Sequence, residues 1–408
     1  YKRQIISDGR PSLGFTGNMD TYKPAEGSAT RSDIAITDPD FKYPSLWKSN
    51  IAADYKFGDG WVATVELLYS KDINAIYHDN IGLYRTEQFV NDGGAGNARP
   101  YYNGYYSDRE GNQKAANHVV MLRNTSKGHS LYTTFQLQKN FVDGILKGLY
   151  LNGSYSFGQS RGVTDGTSSV ATSAWKYRAA LDGNAEEVGY TAGSFDGRLL
   201  LSASYTANWS KYAATSFGLI YQRYRPFRYS YCYNGDANGD SQFSNDLMYI
   251  PANFDEVKDH LLPGDFDSQE DAWKAMNAFI EQDPYLSKHR GEYAERNGAV
   301  APFANQLDLS VSHDIKIYQK NGRSHTLRFS FNIANFLNLL NRNWGVVQTT
   351  VLGNQQYQFL TIPKGQGPSA ANNYTLKYTM AKDLDETFKD NLNDVSRWQM
   401  QFGIKYIF

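Results

Sequence analysis

The sequence predicts an all-β protein that forms the wall of a transmembrane antiparallel β-barrel, and three observations predict it. Polar and apolar residues alternate with period two over many segments. The links between those segments alternate between very short and very long. No run approaches the roughly 18 apolar residues of a spanning helix. Period-two alternation is the pattern of a strand whose two faces meet different surroundings.

The last segment is the clearest. Trp398, Met400, Phe402, Ile404, Tyr406 and Phe408 share one face, and Arg397, Gln399, Gln401, Gly403 and Lys405 share the other, with Ile407 as the exception. An apolar side with Trp and Tyr near its limits suits a bilayer; the polar side suits a wet interior. The first segment, 47–57, sets Trp47, Ile51, Ala53, Tyr55 and Phe57 against Lys48, Asn50, Asp54 and Lys56. After Gly58-Asp59-Gly60, Trp61, Ala63, Val65, Leu67 and Tyr69 oppose Thr64, Glu66 and Ser70. Segment 198–209 places Leu199, Leu201, Ala203, Tyr205 and Trp209 opposite Ser202, Ser204 and Thr206, and Ser210-Lys211 leads into Ala213, Thr215, Phe217, Leu219 and Tyr221. Segment 306–317 gives Leu307, Leu309, Val311, Ile315 and Ile317, followed after Asn321-Gly322 by Leu327, Phe329, Phe331 and Ile333. Weaker versions occupy 130–139 and 149–157. Each run is close to the roughly 9 to 11 residues that cross hydrocarbon when tilted. His313 falls on an apolar face, which predicts either a rim position or a slip of register.

The links decide between a membrane barrel and a soluble sandwich, whose turns are similar at both ends. Short links lie at 58–60, 140–148, 210–211 and 318–324, and long ones at about 82–116, 160–196, 230–304 and 337–395. Outer-membrane barrels have this asymmetry, with tight periplasmic turns and large outer loops. Counting nine strands back from a periplasmic Phe408 makes 1–45 an extracellular loop and 46–408 the membrane strands with their outer loops. The N-terminus of the chain is then outside. Nine strands cannot close a bacterial barrel, which has an even count. The expectation is the C-terminal portion of a larger one; a plugged barrel of about 22 strands would need about 13 more.

Composition narrows the classes further. The chain is 15% aromatic, with 31 tyrosines, an enrichment typical of interfacial girdles and binding loops. A mean hydropathy of −0.58 excludes a helical membrane bundle. A net charge of −1 gives no reason to expect nucleic acid as a partner. Cys232 is the single cysteine, so an intrachain disulfide is excluded.

Several stretches carry a resemblance. They are 36–44 (Ile-Thr-Asp-Pro-Asp-Phe-Lys-Tyr-Pro), 68–72, Asp236-Ala237-Asn238-Gly239-Asp240 followed by Asn245-Asp246-Leu247, 290–298, 302–309, Asn335-Phe336-Leu337-Asn338 with Trp344-Gly345, and Ser396-Arg397-Trp398-Gln399. Together they resemble the C-terminal barrel half of TonB-dependent outer-membrane receptors of the Oar-like type found in Bacteroidetes and relatives. The resemblance implies a 22-stranded barrel with an N-terminal plug in the outer membrane of a Gram-negative bacterium, driven by the TonB–ExbB–ExbD complex. It also implies import of a ligand whose identity the sequence does not give.

The strongest local chemistry lies in the longest loop. Asp236, Asn238, Asp240 and Gln242 have the i, i+2, i+4, i+6 spacing of an EF-hand-like loop, with Asp246 following. Alternate oxygen ligands on a Gly-containing turn can wrap Ca²⁺, which here would stiffen the loop. Ser241 stands where an EF-hand wants Gly, and Leu247 where it wants Glu; the bland alternative is a solvated Asn/Asp/Gly turn. Downstream, Ser268-Gln269-Glu270-Asp271 reads as a capped helix start with Trp273, Met276, Phe279 and Ile280 on one face. The stripe marks packing on the rim, and a second helix is expected over 286–296.

Catalytic signals are thin. Gly158-Gln159-Ser160-Arg161-Gly162 matches a nucleophile elbow, but that motif works on a strand-to-helix turn, and here it ends a membrane strand. The seven histidines show no metal spacing, and Glu186-Glu187 is expected to face solvent. The basic-aromatic run 223–229 suits either lipopolysaccharide phosphates or the mouth of the pore. Aromatic and amide side chains such as those of 101–106 are expected to bind substrate. The chain is thus expected to be a transporter and not an enzyme. The alternatives are an adhesin or a dock for surface lipoproteins and other envelope proteins, and a secreted calcium-binding glycan module.

Overall fold

A computed structural model describes residues 32–90, 99–105, 116–166, 168–318, 324–352, 356–368, 374–380 and 386–408. Strands account for 52% of it and helices for little, so the protein is all-β. Among the described residues no helix is long and apolar enough to cross a membrane.

Nine strands pair in chain order into one antiparallel meander: β1 (Leu46–Phe57), β2 (Trp61–Asp72), β3 (His129–Asn140), β4 (Leu149–Gly162), β5 (Arg198–Ser210), β6 (Ala213–Tyr224), β7 (Ala304–Tyr318), β8 (Ser324–Ala334) and β9 (Gln399–Ile407). These are the nine segments of period-two alternation. A two-residue strand, Gly189–Tyr190, pairs with the end of β4. The sheet is open: β1 and β9 are its two edges, and no closed barrel forms among the described residues.

Register makes the two faces continuous from strand to strand. Val65 pairs with Ala53 on one side and Phe135 on the other. Leu219 lies between Ala203 and Leu309, and Phe331 between Val311 and Phe402. The resulting apolar surface is uncovered, with Ile51 69%, Phe402 64% and Ile404 62% exposed. An apolar patch spanning nine strands is far larger than soluble monomers leave open. The opposite face is laced by polar side chains across neighbouring strands. Asn50 donates to Glu66 at 2.7 Å, Gln136 to Asn152 at 3.0 Å and Gln222 to Gln306 at 3.0 Å.

His313 shows no slip of register. Pairing runs one-to-one through it on both sides, against Thr215 and Phe329. Its Nδ1 lies 2.8 Å from the Thr215 hydroxyl, to which the Trp209 indole donates at 2.8 Å. The pair stands two residues inside the 211–212 link, so the rim position explains the polar residue on this face.

The short links all lie at one end of the sheet. At 58–60 the turn uses Gly58 and Gly60 at φ +53° and +81°, left-handed values that favour glycine. The link at 319–323 lies outside the described residues. At the other end, the long segments pack into a cap with its own core, including Tyr231, Met248, Ile250, Phe279, Phe359 and Tyr374. Short strands tie separate loops together. Arg228–Tyr231 pairs with Ala299–Val300 and, in parallel, with Gln356–Tyr357, while Leu261–Leu262 pairs with Leu376–Tyr378.

The expected helix spans Gln269–Gln282. The Ser268 hydroxyl accepts the Asp271 amide at 3.1 Å, an N-cap worth about 1 kcal/mol. Met276, Phe279 and Ile280 are buried in the cap core, with Trp273 packed against it. The second helix expected over 286–296 is absent. A single 3₁₀ turn, Leu286–Lys288, gives way to Glu292–Tyr293, which pairs with Tyr249–Ile250. Gly291 at φ +79° donates its amide to the Ile250 carbonyl at 2.7 Å, and this stops the helix.

Candidate functional site

The five candidate calcium ligands sit on one turn of the cap between Tyr233 and Leu247. Asp236 accepts three amides, from Asn238 at 3.2 Å, Gly239 at 2.6 Å and Ser241 at 2.8 Å. Asn238 Oδ1 accepts the Asp240 amide at 2.9 Å, and Asp240 Oδ1 accepts the Gln242 amide at 2.8 Å. Asp246 Oδ2 accepts from Ala237 at 2.8 Å and closes the turn. Ser241, at the position where an EF-hand takes Gly, adopts φ +66°. Gly239 at φ +80° lies so close to the Tyr102 carbonyl that a β-carbon would collide with it.

This turn is buried and not solvated, because other loops cover it. Asn238, Asp240, Gln242 and Asp246 are all below a tenth exposed. The Tyr102 amide donates to the Asn238 carbonyl at 2.7 Å, and Asn245 and Leu247 bracket Ala180 through backbone bonds of 3.0 and 3.1 Å. Arg99, wholly buried, reaches Asp246 Oδ1 at 3.2 Å and the Leu247 carbonyl. Its guanidinium lies 5.6 Å from the ring centres of both Tyr233 and Tyr293. No sequence signal points to Arg99, which is 147 residues from Asp246.

Charge on the turn is not balanced by this arginine. Burial first, then Asp246 and Asp236, push the Asp240 carboxyl well above the usual carboxylate range. Asp236 is raised by burial, against the pull of its amide donors. Asn245 Oδ1 is buried with no hydrogen-bond partner among the described residues. Among those residues no three His, Cys, Asp or Glu side chains converge as a ligand group, so the amide oxygens of Asn238 and Gln242 would have to complete any cation shell.

The other candidates fall elsewhere. Tyr101, Tyr102 and Tyr105 are buried and so are not an open substrate surface; Tyr106 lies outside the described residues. Tyr102 donates to Asp182 at 2.7 Å, and Tyr105 lies 3.2 Å from His118 Nδ1. These tyrosines pack because the long loops fold on each other. Ser160 lies within β4 opposite Ser130, with no strand-to-helix turn beneath it. Glu187 does not face solvent: it is half-buried and accepts the Leu181 and Asp182 amides at 2.9 and 2.8 Å, and burial raises its carboxyl. Glu186 accepts the Thr125 hydroxyl at 2.6 Å.

The basic-aromatic run divides between surfaces. Arg228 is buried, paired with Asp196 and set 4.2 Å over Tyr190. Arg223 lies on the apolar face, paired with Leu199 and Asn305, and is exposed. Arg223 and Arg225 both stand over Phe303, at 4.5 and 4.2 Å from its ring centre.

No protein family matches the chain, and neither does any curated protein or solved structure.

Proposed function

We propose that this chain forms wall and outer cap of a TonB-dependent outer-membrane receptor that imports a ligand through a plugged barrel. The observation that carries the reading is the sheet's two-faced surface: an uncovered apolar side nine strands wide, backed by a hydrogen-bonded polar side. Lipid on one side and water on the other account for both. In this reading the short links are periplasmic and the cap is extracellular. Both sheet edges must then be paired, because open backbone edges are not tolerated in hydrocarbon, and further strands would supply the closure. Energy would come from TonB–ExbB–ExbD acting on a plug. The test is uptake: in cells lacking TonB, import of the receptor's ligand should cease while the protein still assembles. Unchanged import would leave the docking or adhesin reading in its place.

The Asp236–Asp246 turn is proposed to hold calcium as a structural ion. The buried Asp240, facing Asp236 and Asp246 with Arg99 as the neighbouring cation, favours this. The orphaned Asn245 oxygen supports it further. Asp236, Asn238, Asp240, Gln242 and Asp246 would supply oxygen ligands, and the ion would fix the loop against its neighbours. Isothermal titration of the metal-free protein with calcium tests it: one bound ion is expected, lost in Asp240→Asn.

A further inference from the structure

We propose that Arg223 and Arg225 form a clamp for the phosphate of an outer-leaflet glycolipid such as lipopolysaccharide, at the point where the apolar face meets the cap. The proposal rests on the membrane reading above and says which component of the membrane touches this wall.

Position comes first. Register carries the apolar face up β6 and β7 through Phe217, Leu219 and Tyr221, which pair with Val311, Leu309 and Leu307. The next pair on that face is Arg223 with Asn305. Tyr221 marks the boundary by donating its hydroxyl to Asn305 Oδ1 at 2.9 Å. Gln222, which the alternation sends to the other side, bonds Gln306 there at 3.0 Å. Arg223 therefore caps the lipid-facing column and does not line the polar side.

The charge is concentrated and incompletely neutralised. Two guanidiniums share the single Phe303 ring, within 4.5 Å of its centre. Arg223 has no carboxylate within ion-pair distance among the described residues. Arg225 donates to the Ala301 carbonyl at 2.7 Å and lies 3.7 Å from Asp196, but Asp196 is already engaged by the buried Arg228. One carboxylate thus serves two arginines, and Arg223 has none. The cation–π contacts with Phe303 hold both guanidiniums at one place, and a planar guanidinium matches a phosphate through two parallel hydrogen bonds.

The same end of the sheet is basic again on the far side of β5. Lys71, His129 and Arg161 stand side by side across β2, β3 and β4, beyond Tyr69 and Leu131 on the apolar face. Lys71 and Arg161 are already held, by the Ser126 and Gly128 carbonyls and by Glu295. They add field, while Arg223 and Arg225 offer the donors. A headgroup phosphate at that height, with its acyl chains down the Leu219 column, meets Arg223 and Arg225.

The test uses full-length protein in phosphatidylcholine vesicles containing bisphosphorylated lipid A, extracted gently and weighed by native mass spectrometry. Wild type should retain the glycolipid. Arg223→Gln with Arg225→Gln should lower its affinity by at least about tenfold, the scale of losing charge-assisted hydrogen bonds. Arg198→Gln, on the polar face, should leave retention unchanged, as should a large excess of inorganic phosphate over lipid A added as competitor. Dephosphorylated lipid A should not be retained. Equal retention by wild type and the double variant, both inserted and folded with the same melting temperature, overturns the clamp. Competition by free phosphate also overturns the lipid as its occupant. Failure of wild type to insert into any vesicle overturns the membrane reading beneath it.

Discussion

Arg99 and Asp246 meet at 3.2 Å with both side chains essentially removed from solvent, joining two cap loops that are distant in sequence. Neither group is tolerable in such a place without the other, since an unpaired buried charge costs several kcal/mol. Replacing Arg99 by Met should therefore destabilise the cap by about 3–5 kcal/mol. Adding Asp246→Asn should return part of that loss, and thermal unfolding of the two single variants and the double variant measures the coupling.

The Asp240 carboxyl gives the cap a pH signature. Its pKa in the fold is raised above the unfolded value of about 4. The folded state then holds more protons than the unfolded one between those values. Stability is fully present below the unfolded pKa and falls as pH rises through the folded one. Calcium should abolish the decline, adding about 2.7 kcal/mol at a hundredfold excess over its dissociation constant. Melting curves from pH 4 to 8 with calcium or chelator check this, and Asp240→Asn should flatten both curves.

Ser241 carries a left-handed φ of +66° without being glycine. Ser241→Gly should relieve that strain and stabilise the turn by about 0.5–1 kcal/mol. Denaturant midpoints compared at equal slope read the difference.

The helix Gln269–Gln282 is a packing element of the cap. Phe279 is buried and lies 5.0 Å from the ring centre of Phe359. Phe279→Ala should cost about 3–5 kcal/mol of cap stability, while Ser268→Ala, which removes the hydroxyl's bonds to the Asp271 amide and carboxylate, should cost about 1 kcal/mol. Limited proteolysis of the cap should rank the two in that order, with the strands protected in both.

Leu219 stands mid-strand on the apolar face and Ser204 on the opposite one. Leu219→Arg should cost about 2–4 kcal/mol if lipid lies against it, and Ser204→Arg far less. Urea unfolding from vesicles separates them.

The wall was legible in the sequence and the cap was not, for a physical reason. Strand faces in contrast write themselves into every second residue, so Trp61 through Tyr69 or Leu327 through Ile333 reveal which side of the sheet each residue takes. Inside the cap, burial depends on contacts between loops far apart in sequence. Nothing local distinguishes the buried Tyr102 from an exposed binding tyrosine, or Glu187, held by two amides, from a solvated one. Asp236, Asn238, Asp240, Gln242 and Asp246 were found together by spacing alone, because a turn keeps its own residues close. Arg99, their partner from another loop, carried no such mark. The helix predicted over 286–296 does not form because Gly291 commits the backbone to the left-handed region there, outweighing the helical formers around it.

Nitroxide labels on β9 would report which face of the sheet meets lipid. In full-length protein embedded in vesicles, labels at Phe402 and Ile404 should be quenched by oxygen dissolved in the hydrocarbon and shielded from an aqueous nickel chelate. Labels at Gln399 and Gln401 should show the reverse. Aqueous exposure at Phe402 and Ile404, with Gln399 and Gln401 dry, would rule out a membrane-facing apolar wall.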